Sequence, residues 1–267
     1  LKVLVTVKAA PQPSATYGDT VCVAGVELRG DDPVRLVRLY PVPFRYLEGD
    51  QQFGKYQVID VAARPSTRDP RPESHRIDAS SLRLGESVKG WHRRAPYLEP
   101  LVTDSMCAVL DAVRQNPNAP SLALVRPAEI LGLQISRHGG WTPKQQDVLD
   151  QWVNQPELFG GGAPKTAIAA PRFTAKYRYR CGDARCRTHE QGIIDWELTA
   201  LQRKLALASD AELQAAIVHN FFEVMCGSTR SPAFYVGNQA DAQKRRTFSV
   251  LGTYYPRAFE AAALPLF

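Results

Sequence analysis

Arg172-Phe173-Thr174-Ala175-Lys176-Tyr177-Arg178-Tyr179-Arg180-Cys181-Gly182-Asp183-Ala184-Arg185-Cys186-Arg187-Thr188-His189 is the stretch on which the assignment of this chain turns. Its first half alternates with the period of a β-strand, in which successive side chains face opposite ways. Tyr177, Tyr179 and Cys181 share one face, and Lys176, Arg178 and Arg180 share the other. The second half is a glycine-containing loop that carries Cys181, Cys186 and His189 within nine residues. Thiolate and imidazole are ligands that zinc selects, so the loop predicts a metal site with Zn²⁺ as its cofactor. The spacing supplies three ligands and no second pair close by.

The fourth ligand has to come from further along the chain. Ser209-Asp210-Ala211-Glu212 is a capping box that opens a helix, with Leu213, Ala216, Ile217, Phe221 and Val224 on its core side. At about 100° per residue, His219, Glu223 and Cys226 fall on the opposite stripe. Cys226 is the first choice, His219 the second, and Asp195 or Glu197 the third. Four protein ligands make the site structural. Three ligands and an open position would activate water, with Asp195, Glu197 or Glu223 as general base. The structural site is preferred over the catalytic one. Two alternatives stay open: a redox pair, or two buried thiols beside a surface histidine. Cys22, in an apolar run, and Cys107, on an amphipathic helix, read as buried thiols.

Residues 172–190 hold six basic side chains against Asp183 and Glu190. A cationic face with aromatics beside it suits phosphate contact and base stacking, which nominates Lys176, Tyr177, Arg178, Tyr179, Arg180, Arg185 and Arg187 as a nucleic-acid surface. Lys244, Arg245 and Arg246, at the tip of a last hairpin, add to it. The competing assignment is a two-sided strand with its tyrosines inward and its arginines in solvent, paired with acids. The net charge of +6 and pI near 9.1 favour a polyanionic partner without specifying one.

Working outward, the C-terminal part contains helices around Ile194–Leu205 and 209–226, then strands at Ala233–Val236 and Thr247–Thr253. The N-terminal part is β-rich, with strands expected at Lys2–Lys8, Thr20–Glu27, Val34–Tyr40 and Tyr56–Ala62 between turn clusters. Several short strands suggest a small OB- or SH3-like barrel. Arg35 and Arg38 have opposite strand parity, so one points inward, to a pocket or to an ion pair with Glu48 or Asp60. Asp69–Trp91 reads as an extended surface segment. A helix over Met106–Val113 follows, capped by Thr103 or Asp104 and ended by Asn116-Pro117. Ser121–Val125 is a strand that packs back on the first domain. Thr142-Pro143 opens a short helix, and Gly160-Gly161-Gly162 suggests a linker. The expected fold class is therefore α+β: a β-barrel-like domain over 1–135, a linker over 136–168, and an α+β metal-binding module over 169–267.

No apolar run approaches the roughly 20 residues needed to span a bilayer, and five unevenly spaced cysteines do not suit a disulfide framework. A cytoplasmic protein with no membrane partner is expected. Nucleophile-elbow, dinucleotide-binding, P-loop, kinase and complete zinc-protease motifs are missing from the sequence. The leading expectation is a nucleic-acid-binding protein, DNA or RNA, with structural zinc. The alternatives are a metal-dependent hydrolase, including a nuclease, and a protein-interaction or regulatory adaptor.

Overall fold

A computed structural model describes residues 1–11, 13, 21–44, 47, 51–116, 118–154 and 167–259. Among them no helix is long and apolar enough to cross a membrane. The protein is α+β with two domains. In the N-terminal one, the Val- and Leu-rich strands β1 (Lys2–Lys8), β2 (Val21–Arg29) and β3 (Asp32–Val42) pair antiparallel in sequence order. On the other side of β1 lies β4 (Gln57–Asp60). The strands β5 (Ala63–Pro65), β6 (Ser74–Ile77) and β7 (Arg83–Ser87) complete a seven-stranded mixed sheet of order β5-β6-β3-β2-β1-β4-β7.

A barrel would need the first and last strands of that order to pair. Instead β5 and β7 stand at opposite edges, so the sheet is open, contrary to the expected OB- or SH3-like closure. Both edge strands are short and largely exposed, and Pro65 further blunts β5 as a pairing edge. Residues 69–91 are a surface segment only in part. Here β6 runs parallel beside β3, and Glu73, Ser74 and His75 are buried. Their polarity hid them from a hydrophobic pattern, because what they bury is a charge.

That charge is Arg38. As strand parity requires, Arg35 faces out and pairs with Glu27 at 2.7 Å, while Arg38 faces in. Its partner is Glu73 at 2.9 Å rather than Glu48 or Asp60; Glu48 lies outside the described residues. Ser121, from the C-terminal domain, donates its backbone N–H to the same Glu73 oxygen at 3.0 Å, and its hydroxyl donates there too. Arg38 donates to the Ser121 hydroxyl at 3.3 Å. Burying two opposite charges is tolerable only with this density of hydrogen bonds.

After α1 (Trp91–Leu98) and β8 (Val102–Thr103), α2 (Met106–Gln115) begins at Ser105, whose hydroxyl caps Ala108 N–H. The cap is thus one residue beyond the two candidates. Next come β9 (Leu122–Val125), β10 (Glu129–Arg137) and α3 (Pro143–Val153), the last opened by the Thr142 capping box. Residue 135 falls inside β10, which pairs along its whole length with β11 (Phe173–Arg180). Gly160-Gly161-Gly162 lies outside the described residues.

A three-stranded sheet β10-β11-β12 follows, with β12 at His189–Gly192. Then come α4 (Trp196–Lys204), α5 (Asp210–Val218), a π-helical turn over His219–Val224, and the hairpin β13 (Ala233–Asn238) with β14 (Phe248–Tyr254). The sheet β14-β13-β9-β8 joins the domains. Leu122 and Leu124 pack with Leu4, Val7, Val26 and Tyr235 in one shared core, while Val125 and Val236 pack toward α2, α4 and α5.

Candidate metal centre

Strand β11 delivers the site. Its inward face, Phe173, Ala175, Tyr177 and Tyr179, is buried, so the next inward position, Cys181, arrives at the end of the strand already facing the core. The chain then turns. The Asp183 side chain accepts the Arg185 N–H at 2.8 Å, and the Asp183 carbonyl accepts the Cys186 N–H at 2.9 Å. This folds Cys186 back until the Cys181 N–H lies 3.4 Å from its sulfur. His189 then starts β12 opposite Tyr179.

Gly182 fixes where this loop sits. Its N–H donates to the Asp104 carbonyl at 2.6 Å, and a Cβ there would meet the Asp104 side chain at 3.0–3.2 Å. Only glycine fits that approach without displacing Asp104. The loop is thereby seated on the residues that open α2, and in the first turn of α2 stands Cys107.

Cys107, Cys181, Cys186 and His189 offer four ligand atoms, all within 4.8 Å of one another. His189 Nε2 lies 3.5 Å from Cys107 Sγ, 3.3 Å from Cys186 Sγ and 3.4 Å from Cys181 Sγ. Zinc–sulfur and zinc–nitrogen bonds arranged tetrahedrally would give nitrogen–sulfur edges of about 3.6 Å. Three near-equal edges of almost that length are what the apex of such a tetrahedron shows. The group is consistent with a zinc-like metal site. Cys181 is buried and the other three are half-buried.

The thiols are electrostatically unequal. Burial opposes ionisation of Cys181, but N–H groups of Asp183 and Cys107, with His189 and Cys186, outweigh it and bring the thiol down to about 6. Burial and then the neighbouring sulfurs push Cys107 up to about 12. A dication among the three sulfurs would remove that conflict, since a coordinated thiol is deprotonated outright.

Sequence reasoning therefore located three of the four residues and passed over Cys107, which had read as a core thiol. The first choice, Cys226, stands apart: its sulfur is 3.6 Å from the Phe221 carbonyl, and burial pushes the thiol up to about 12. The α-helical wheel does not hold across the π-helical turn 219–224, where each turn takes up an extra residue. His219 and Glu223 pair with each other at 2.9 Å on the exposed surface. Asp195 caps α4 by accepting the Glu197 N–H at 2.9 Å, and both carboxylates face Lys55, at 3.8 Å and 3.3 Å. Burial, only partly offset by Lys55, raises the Asp195 carboxyl to about 6. Neither Asp195, Glu197 nor Glu223 belongs to the cluster. Cys22 is half-buried in β2.

The aromatic half of the expected nucleic-acid face is in the core. Tyr177 and Tyr179 are both fully buried. Tyr177 stacks on Phe234 at 4.5 Å between centroids and donates to the Phe221 carbonyl; Tyr179 donates to Gln191 at 2.7 Å. Neither ring is open to a base. On the outer face Arg178 pairs with Glu190 at 3.0 Å, Arg180 with Glu129 at 3.1 Å, and Arg185 with Asp183 at 3.1 Å. Arg172 pairs with Asp210. Lys176 and Arg187 remain exposed with no acidic partner among the described residues, as do Lys244 and Arg246. Arg245 is half-buried, and its Nε and Nη2 have no hydrogen-bond partner there.

Residues 102–267, which contain all four cluster residues, match a family described as a domain of unknown function, DUF8757. The chain belongs to the DUF8757 family. Residues 1–100 match a second such family, DUF8758. The boundary between the two matches coincides with the end of α1 and the start of β8, so α2 and Cys107 fall on the DUF8757 side. No curated protein matches the chain.

Proposed function

We propose that the DUF8757 domain binds one zinc ion through Cys107, Cys181, Cys186 and His189, that the ion is structural, and that the protein acts by binding rather than by turnover. The observation that carries this reading is the tetrahedral placement of His189 Nε2 against three sulfurs, at 3.3–3.5 Å. Three thiolates and an imidazole fill the coordination shell, whereas hydrolytic zinc keeps one position for water. A hydrolase would also need a carboxylate beside the metal, and none of the nominated acids belongs to the group. Retention of free thiolates fits a reducing compartment such as the cytoplasm.

Elemental analysis of purified protein tests the proposal. Wild type is expected to carry about one zinc per chain. Cys107→Ser should lose most of it and Cys226→Ser should keep it. Retention by Cys107→Ser, or loss by Cys226→Ser alone, contradicts the proposed ligand set.

A nucleic-acid partner is the second reading, favoured by the exposed, acid-free Lys176, Arg187, Lys244 and Arg246. It predicts salt-sensitive retention of DNA or RNA without base stacking on Tyr177 or Tyr179. Failure of wild type to shift any oligonucleotide at low salt removes it.

A further inference from the structure

We propose that the cleft where the β5–β6 edge meets the β13–β14 connection is a binding site for a phosphate-bearing ligand, held by Arg64 and Arg76. It lies in neither the metal corner nor the basic strand β11, and it uses none of their residues.

The charge of the cleft is one-sided. Its wall contains Arg64, Arg68, Arg71 and Arg76, and Asp69 is its sole acid. That acid is already committed. Asp69 takes the Arg71 guanidinium in a two-pronged grip, at 2.7 Å from Nε and 2.5 Å from Nη2. Arg71 Nη1 donates at 2.6 Å to the carbonyl of Asn238, which reaches in from the DUF8757 domain. Arg71 is thus buried, neutralised and fixed, and serves as the floor. Arg64 and Arg76 are left with no uncommitted carboxylate in the wall.

Arg64 and Arg76 carry the argument furthest. They sit directly opposite each other across the β5–β6 pair and both are exposed. Neither has an acidic partner among the described residues. Like charges in directly opposed positions destabilise a sheet, and an edge strand of three residues has little pairing energy to set against that. An anion between the two forks reverses the sign of the interaction. Planar guanidinium forks match the oxygens of a phosphate better than any point charge does.

Size narrows the ligand. The cleft holds about 140 Å³, below the ~300 Å³ at which pockets begin to enclose whole drug-sized molecules. It accommodates a phosphate group and little else. Arg64 and Arg76 also border an open depression of about 490 Å³ on the neighbouring surface, with Ala62, Ile77 and Asp78, whose carboxylate accepts from the Ser80 N–H and hydroxyl. A ligand anchored by its phosphate in the cleft has room to lie there. Ala240 closes the opposite wall, and the same connection carries the exposed Lys244 and Arg246, which raise the local positive potential.

Titration calorimetry of the full chain with inorganic phosphate at low ionic strength tests the site, followed by anisotropy with one oligonucleotide made with and without a 5′-phosphate. Saturable phosphate binding at one site per chain is expected. Arg64→Ala and Arg76→Ala should each weaken it by about tenfold, the effect of losing one charge-assisted hydrogen bond, with zinc content and Tm unchanged. Arg178→Ala should bind phosphate as wild type does. Preference for the phosphorylated oligonucleotide, competed by free phosphate, identifies a nucleic-acid end as the source. Phosphate binding without oligonucleotide binding identifies a small phosphorylated molecule or the free ion. No saturable phosphate binding by wild type, or a doubly substituted Arg64→Ala/Arg76→Ala protein that binds phosphate unchanged, overturns the proposal. A salt-sensitive oligonucleotide interaction that survives the double substitution leaves the nucleic-acid reading of the remaining cations standing while this site falls.

Discussion

The metal corner and the Arg38 junction are both polar knots that tie distant segments together, and they are assembled from opposite kinds of sequence. In the corner, three of the four cluster residues lie within nine residues, and all four are residue types with a narrow chemical repertoire. At the junction, Arg38 meets Glu73 across 35 residues and Ser121 across 83, and each is a common residue with many ordinary uses. The corner leaves three of its four residues half-buried around a central point, with Cys181 buried. The junction is dry, with Arg38, Glu73 and Ser121 all nearly inaccessible to solvent. Rarity and locality decide how visible a knot is in a sequence. Neither decides how firmly it holds.

Experiments that remove one knot at a time sharpen this contrast. Chelation is expected to have the largest effect, because metal binding in small zinc domains is coupled to roughly 10–16 kcal/mol of folding free energy. Stripping zinc should abolish the near-UV circular dichroism of the aromatic cluster Tyr177, Tyr179 and Phe234 and lower Tm sharply. Unchanged melting after complete metal removal would show the corner to be ornamental. Glu73→Ala comes next. It strands a buried guanidinium, at about 3–5 kcal/mol, and denaturant titration should show it, with Glu73→Gln milder because it can still accept from Ser121. Equal stability of Glu73→Ala and wild type would break the parallel between the two knots. Arg178→Ala should be the smallest perturbation. Its pair with Glu190 is 43% and 49% exposed, where such contacts contribute under ~1 kcal/mol.

Much of the architecture was legible because it obeys short periods. The four N-terminal strands, the helix start at Thr142-Pro143, the capping box at Ser209 and the final hairpin all follow from local pattern, and β11 has the parity that its alternation predicts. What parity cannot supply is the direction of the core. The same alternation serves a strand that offers tyrosines to a ligand and one that buries them; the stacking of Tyr177 on Phe234 depends on a strand far along the chain. The inner strand β6 was hidden for a related reason, since Glu73 and Ser74 at its start answer a buried charge instead of an apolar surface. Cys107 was the most costly omission. It is 82 residues from His189, and on an amphipathic helix a cysteine looks like any small core residue. A signal did exist, in Gly182: a glycine between Cys181 and Cys186 leaves room for close approach by another segment, here Asp104, though the sequence does not say which one.

The distance between Cys107 and His189 has a consequence in polymer terms. A metal that joins them acts on the unfolded chain as a cross-link closing a loop of 82 residues. By the measure used for disulfides, a loop of that size restricts the unfolded ensemble by about 4–5 kcal/mol. Because the closure term grows only logarithmically, doubling the enclosed length would change it by about 0.6 kcal/mol. β9, β10, α3 and the span from α3 to β11 all lie inside that loop. The span can therefore lengthen or shorten substantially while the clasp at its two ends keeps nearly its full effect.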